Sequence, residues 1–202
     1  MGKLRDTIQA KAVEKLISNL VEKINSEKDL EKRTKIYLKL IDTAEKFWGK
    51  DNVDSDTMNK VREYVKDPQN RWVKFVNDTL DETNPKYTKK MIMNLGYNAF
   101  FKGTKMIREN REKYNCNIPW LILFDPTDAC NLHCVGCWSG TYGHKNNLSY
   151  EDMDRIVTEG KELGTYLYFM TGGEPTVRKK DILKLAEKHN DCFFGLFSNS
   201  TL

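Results

Sequence analysis

Three cysteines within eight residues constrain this chain more than any other feature. They are Cys130, Cys134 and Cys137, in the run Cys-Asn-Leu-His-Cys-Val-Gly-Cys. The spacing places three thiolates on one short loop, with no fourth cysteine beside them. A metal centre with three protein ligands keeps one coordination position open, and open positions carry out chemistry, whereas fully ligated centres hold structure or transfer electrons. The loop therefore predicts a reactive metal centre.

The remaining cysteines indicate a reducing compartment. Cys116 and Cys192 stand alone in apolar surroundings, and we expect both to be small buried residues. This is not a disulfide framework. The N-terminus lacks the apolar core of a secretory signal. The sequence contains no run of eighteen apolar residues, so we predict no membrane span. We predict a cytoplasmic protein.

The apolar periodicity predicts an α/β chain in two parts. Residues 1–116 show helical spacing throughout and predict an all-helical N-terminal domain. From residue 117 onward, short apolar runs alternate with helical patterns, which predicts a parallel β-α-β-α-β series over residues 117–202. Ser149 is placed to cap the first helix of that series and Gly164 to end it. The predicted strands are 120–124, 165–170 and 192–197.

A second motif follows the second predicted strand. Gly172, Gly173, Glu174 and Pro175 come directly after it, and paired glycines let a backbone turn sharply and approach a ligand closely. With Cys-x3-Cys-x2-Cys after the first strand and Gly-Gly-Glu-Pro at the end of the second, residues 117–202 resemble the radical S-adenosylmethionine (SAM) superfamily.

The resemblance implies a fold, two cofactors and a reaction class. The fold is a partial (β/α)6 barrel, of which this chain would contain the first β-α-β-α-β part. The cofactors are a [4Fe–4S] cluster and SAM, which binds the cluster's open iron through its amino and carboxylate groups. An electron from a low-potential donor, a flavodoxin or a ferredoxin, splits SAM into methionine and a 5′-deoxyadenosyl radical. That radical removes a hydrogen atom from a substrate, which the sequence does not identify.

The resemblance also assigns roles to individual residues. The three cysteines of the loop would bind the cluster. The turn of Gly172, Gly173, Glu174 and Pro175 would face the SAM amino group, with Glu174 holding the turn or contacting it. Asn199, after the third strand, would be a polar SAM contact.

The loop departs from the family at one position. Many members have an aromatic residue just before the third cysteine, where this chain has Gly136, with Trp138 just after that cysteine. Trp138 is expected either to supply the aromatic surface or to pack beneath the loop and shield the cluster from water.

The charge is divided unevenly. Residues 1–119 contain 25 Lys and Arg against 18 Asp and Glu, a net charge of +7, and residues 120–202 contain 8 against 11, a net charge of −3. The basic part predicts either an anionic partner or an ordinary solvated helical surface, and the interspersed acidic residues favour the second. Residues 89–105 combine apolar centres with lysine flanks, which predicts peripheral membrane contact or, more in keeping with the pattern, a core helix.

Two further interpretations stay open. The three cysteines with His144 would form a zinc site in a nucleic-acid-binding module, although such a module has no use for the Gly-Gly-Glu-Pro turn, so we expect no nucleic-acid partner. Alternatively, the chain is a non-catalytic iron–sulfur or helical interaction protein. The sequence stops at Leu202, just after the third strand. We therefore expect a truncated or split reading frame or a deliberate fragment, and we expect the isolated chain to turn over SAM poorly.

Overall fold

The computed structural model describes residues 2–48, 55–141 and 146–202. The chain divides into two compact units, the first ending at Met93 and the second comprising Asn94–Leu202. The elements, in chain order, are α1 Gly2–Ser26, α2 Leu30–Trp48, α3 Ser55–Lys66, α4 Arg71–Glu82, α5 Pro85–Met91, a π-helix Ile92–Gly103, α6 Thr104–Tyr114, β1 Leu121–Thr127, a 3-10 turn Trp138–Thr141, α7 Tyr150–Leu163, β2 Leu167–Gly172, a 3-10 turn Pro175–Arg178, α8 Lys179–Lys188 and β3 Phe193–Leu196.

The first unit is built from amphipathic helices. In α1 the buried apolar side chains are Ile17, Leu20, Val21 and Ile24, which recur at helical spacing and so share one face. Helix α5 begins at Pro85, where the missing N–H and fixed φ of proline suit the first helical position. The helical character predicted for this part of the chain is confirmed.

A buried arginine organises the first unit. The Arg33 side chain is only 1% exposed, and a buried cation needs acceptors around it. Its guanidinium donates to Asp81 Oδ1 at 2.7 Å, to Asn77 Oδ1 at 3.2 Å and to the Glu27 carbonyl at 2.9 Å. The hydrogen bond from Arg33, aided by one from Lys28, lowers the pKa of Asp81 to about 2. The pair joins the start of α2 to the end of α4.

Replacing Asp81 by Asn should destabilise the chain at neutral pH. We expect a loss on the order of 1–2 kcal/mol, less than for a fully buried pair, because Asp81 remains partly exposed to solvent. The folded-state pKa of Asp81 lies below its ordinary 3.8, so its contribution is complete above that pH and disappears as the pH falls through about 2. Urea unfolding between pH 7 and pH 2 should show the two curves converging. Glu63→Gln, which breaks an exposed pair with Lys66, should change stability little.

The π-helix and α6 belong to the second unit from Asn94 onward. Asn94 Nδ2 donates to the Cys192 carbonyl at 2.7 Å and Asn98 Nδ2 to the Asp191 carbonyl at 2.9 Å, and Ala99 is buried in the core cluster beside the sheet. The division between the compact units thus falls at residue 94, while the predicted domain limit after residue 116 stays a prediction. The side-chain amides explain why, because they hold this helix to the turn before β3.

Within the residues that the structure describes, three parallel strands form one sheet in the order β1-β2-β3. Leu167 of β2 is opposite Leu121 of β1 and Phe193 of β3. Helices α7 and α8 connect the strands, and the core between helices and sheet is formed by the fully buried Met153, Val157, Tyr168, Met170 and Leu185. The predicted order of strands and helices is confirmed, while closure into a partial barrel stays a prediction.

Local signals set the limits of α7. Ser149 Oγ accepts a hydrogen bond from the Asp152 amide at 3.0 Å, and Gly164 adopts a φ of 105° after the last turn. Both predicted caps are confirmed. Strand β1 extends beyond its predicted end, because Thr127 still pairs with Gly172 after an irregularity that follows Phe124. None of the helices in the described ranges is long and apolar enough to cross a membrane.

Candidate functional site

The cysteine loop begins where β1 ends. Cys130 is half-buried, Cys134 and Cys137 are exposed, and all three are free thiols. A turn closes the loop through a hydrogen bond from the Cys137 amide to the Cys134 carbonyl at 3.2 Å. Gly136 lies in this turn with a φ of 74°, a conformation that glycine adopts without steric cost. The glycine that departs from the family pattern therefore has a local backbone role.

The sulfur of Cys130 accepts two N–H donors. The Leu132 amide lies 3.4 Å from Sγ, and Asn199 Nδ2 lies 3.9 Å away. Such donors stabilise thiolate sulfur and tune iron–sulfur centres. Among the described residues, no three His, Cys, Asp or Glu side chains are gathered into a metal-holding group. The donor set nevertheless fits a cluster with one open iron, since it offers three thiols on one loop and N–H groups directed at the first of them.

The Gly172–Gly173 turn packs directly on the backbone that leads into Cys130. The Gly173 amide donates to the Thr127 carbonyl at 2.9 Å, and the Glu174 amide donates to the Ala129 carbonyl at 2.8 Å. A Cβ atom on Gly173 would lie 2.2 Å from the Ala129 oxygen. Glycine is therefore required for this close approach, and the two motifs form one site.

Glu174 is held inside that site. Its side chain is 1% exposed and accepts hydrogen bonds from the Thr176 amide at 3.0 Å, Ser198 Oγ at 2.8 Å and the Asn199 amide at 2.7 Å. Burial by itself raises the pKa of Glu174, but these hydrogen bonds outweigh burial and hold the pKa below its usual range. The carboxylate stays ionised. Pro175 starts the short 3-10 turn after it.

Asn199 lies between Glu174 and the cysteine loop. Its amide N–H meets the Glu174 carboxylate, while its side chain reaches Cys130 Sγ and Asn131 Oδ1, the latter at 3.1 Å. The structure thus brings together the predicted Glu174, Asn199 and Cys130, which are far apart in the sequence.

A cavity of about 310 Å³ opens at the carboxyl end of β1, the edge where parallel sheets bind ligands. Trp138 lines it and is 60% exposed, so it supplies an aromatic wall and is not buried beneath the loop as a shield. The other lining residues are Asp125, Asp128, Ser139, Asn146, Asn147 and Leu148.

Sequence reasoning missed a set of hydrogen bonds that joins the segment before the cysteine loop to the segment before α7. Asp128 accepts from both the amide and the side chain of Asn146 at 2.9 Å. Thr127 Oγ1 lies 2.6 Å from Asn147 Oδ1 and accepts from the Ala129 amide at 3.0 Å. The available signal was the Thr-Asp pair just before Cys130 and the Asn-Asn pair before the Ser149 cap.

The isolated cysteines and histidines have mixed outcomes. Cys192 is buried, as predicted, and burial raises its pKa to about 12. The prediction for Cys116 was wrong, because it is exposed in the polar segment after α6. His133 is exposed on the loop. His144, the histidine of the zinc interpretation, lies outside the described residues.

Comparisons with known proteins find similarity over the part of the chain that contains this site. Residues 124–202 match the family model of the Radical SAM superfamily. The chain is similar to GTP 3',8-cyclases: it is 40% identical over 81 residues to that of Desulforamulus reducens, covering 38% of this chain and 24% of the relative. It is 36% identical over 100 residues to that of Thermodesulfovibrio yellowstonii, covering 46% of this chain and 31% of the relative.

These matches confirm, over residues 124–202, the resemblance to the radical SAM superfamily that was stated from the motifs. The chain spans about a fifth to a third of the length of the curated relatives it matches. No solved structure matches it.

The packing of the turn leads to a testable contrast between two glycines. Gly173→Ala should destabilise the chain by about 2–3 kcal/mol, because its methyl group would overlap the Ala129 carbonyl and force the backbone apart. Gly136→Ala meets no atom within 4 Å and should cost only about 1 kcal/mol of backbone strain. Urea unfolding of both variants measures the difference. Equal losses would show that the turn is not packed against this segment.

Proposed function

We propose that the chain provides the cofactor-binding part of a radical SAM enzyme. Cys130, Cys134 and Cys137 would hold a [4Fe–4S] cluster, and SAM would bind its open iron beside the Gly172–Gly173 turn. The observation that carries the proposal is the pair of backbone hydrogen bonds from this turn to Thr127 and Ala129. They place the turn against the segment that presents the first cysteine.

The residues of the site have separate tasks. Bound together, the cluster and SAM would supply a 5′-deoxyadenosyl radical that removes hydrogen from the substrate. Gly172 and Gly173 would let a ligand approach the backbone closely, because neither carries a side chain. Glu174 would keep the turn in place, and its ionised carboxylate is already engaged by groups of the protein. Trp138 would offer an aromatic face at the cavity edge.

The substrate and partners form part of the same proposal. The relatives are named for GTP cyclisation. The family match, however, is limited to residues 124–202, which contain the predicted cofactor residues. The similarity therefore supports the SAM chemistry and leaves the substrate open. We propose a low-potential flavodoxin or ferredoxin as electron donor and a reducing cytoplasm, which free thiolates require.

Membrane contact through residues 89–105 receives less support than core packing. Tyr97, Ala99 and Gly103 are buried, whereas Met91 and Phe100 are exposed, so only part of the segment's apolar surface is available to a membrane. A zinc-binding module is likewise less favoured, because it leaves the bonded Gly-Gly-Glu-Pro turn without a role.

Replacing Cys134 by Ala should abolish cluster assembly. After anaerobic reconstitution with iron and sulfide, the wild-type chain should bind both and, when reduced with dithionite, show a [4Fe–4S]⁺ electron paramagnetic resonance signal that changes on addition of SAM. Cys134→Ala should fall to background in bound iron and sulfide, since a cluster held by two thiolates is not retained. Cys116→Ser removes an exposed thiol outside the loop and should behave like the wild type.

The same measurement tests the alternatives. A cluster signal that is indifferent to SAM would contradict the SAM site while leaving the cysteine ligands in place. Bound zinc without any cluster in the reconstituted wild-type chain would contradict the radical SAM proposal and favour a binding module.

A further inference from the structure

We propose that Glu174 and Asn199 are positioning residues that hold the first cluster ligand, Cys130, rather than contacts to SAM; this rests on the proposed function. The group formed by Cys130, Asn131, Glu174, Asn199 and Thr201 is called the clasp below. It joins the turn after β2, the segment after β3 and the start of the cysteine loop into one hydrogen-bonded unit.

The Glu174 carboxylate is fully occupied by hydrogen bonds within the protein. Its Oε1 accepts from the Thr176 amide, Thr176 Oγ1 and Ser198 Oγ, and its Oε2 accepts from the Asn199 amide. Both oxygens are thus engaged by protein donors, and the side chain is almost wholly enclosed. A carboxylate in this state orients its own loops, and the group it orients most directly toward the cysteines is Asn199.

The hydrogen bonds of Asn199 fix the orientation of its side-chain amide. Its Oδ1 accepts from the Thr201 amide at 3.0 Å and from Thr201 Oγ1 at 2.7 Å. A backbone N–H only donates, so it requires the oxygen and not the nitrogen of the side chain to face it. The Nδ2 group must then point the other way, toward Cys130 Sγ and Asn131 Oδ1. Asn131 Nδ2 closes the clasp by donating to Thr201 Oγ1 at 2.7 Å.

The clasp has an electrostatic consequence. An N–H directed at a cluster thiolate stabilises the electron-rich reduced state and so raises the reduction potential. The Leu132 amide supplies one such donor from within the loop, and Asn199, in the segment after β3, supplies the other. Glu174 sets the second donor in place through the Asn199 backbone.

The first experiment separates positioning from SAM contact. Glu174→Gln keeps the side-chain shape but replaces one acceptor by an NH₂ donor. If the side-chain oxygen of the Glu174→Gln variant takes the place of Oε1, it keeps the donors from Thr176 and Ser198. The new NH₂ group then faces the Asn199 N–H, and the hydrogen bond between them is lost. Glu187→Gln makes the same change of charge at an exposed position of α8 and is the matched control.

The readouts are the iron and sulfide bound per chain and the resonance signal of the reduced cluster before SAM is added. Glu174→Gln should alter the SAM-free signal or lower the cluster content, and Glu187→Gln should match the wild type. A Glu174→Gln cluster identical to the wild type without SAM, and altered only in its response to SAM, would make Glu174 a SAM contact and overturn the proposal.

The second experiment measures the midpoint potential of the SAM-free cluster. Asn199→Leu removes the N–H donor and should shift the potential to a more negative value. Asn131→Leu breaks the clasp at a residue that gives no hydrogen bond to Cys130 Sγ, and it should shift the potential less. An unchanged potential in Asn199→Leu, or equal shifts in the two variants, would contradict the assignment.

The outcomes for the wild type keep the two proposals distinct. A wild-type cluster that responds to SAM, together with variants that all match it, would refute the clasp and leave the proposed function standing. A wild-type chain that assembles no cluster would overturn both.

Discussion

Two backbone hydrogen bonds underlie the whole candidate site. They run from the amides of Gly173 and Glu174 to the carbonyls of Thr127 and Ala129. Parallel strands end at the same edge of the sheet, so the turn after β2 already lies near the end of β1. The hydrogen bonds hold the turn in contact with the end of β1, and a side chain on Gly173 would prevent this contact. The backbone that leads into Cys130 is therefore held in place.

At this edge of the sheet a neutral residue, Asn199, lies between the Glu174 carboxylate and the sulfur of Cys130. The ionised Glu174 carboxylate would repel the cysteines of the loop in the thiolate form that binds a metal. Asn199 lies between them and donates to both, through its backbone to Glu174 and through its side chain to Cys130. A neutral residue with two donors satisfies the buried carboxylate and the sulfur without adding charge. Hydrogen bonding thus replaces the solvent that burial removes from Glu174.

Local patterns were sufficient for much of the fold. The alternation of strands and helices after residue 117, the Ser149 cap and the left-handed Gly164 all follow from short-range rules of periodicity and capping. The same rules misjudged Cys116, which lies between Asn115 and Asn117 and is exposed. They also gave no sign that Asn94 and Asn98 tie the π-helix to the turn before β3. Those hydrogen bonds join residues more than ninety positions apart.

The sequence by itself determined which chemistry this chain can support. The number and spacing of the loop cysteines, and the paired glycines after the second strand, are properties of short segments and are readable without a fold. Only the tertiary structure decided what surrounds them: that Trp138 lines a cavity, that Asp128 is bonded to Asn146, and that Asn199 meets both Glu174 and Cys130. These contacts arise because separate strands end at one edge, a long-range packing outcome that residue spacing does not encode.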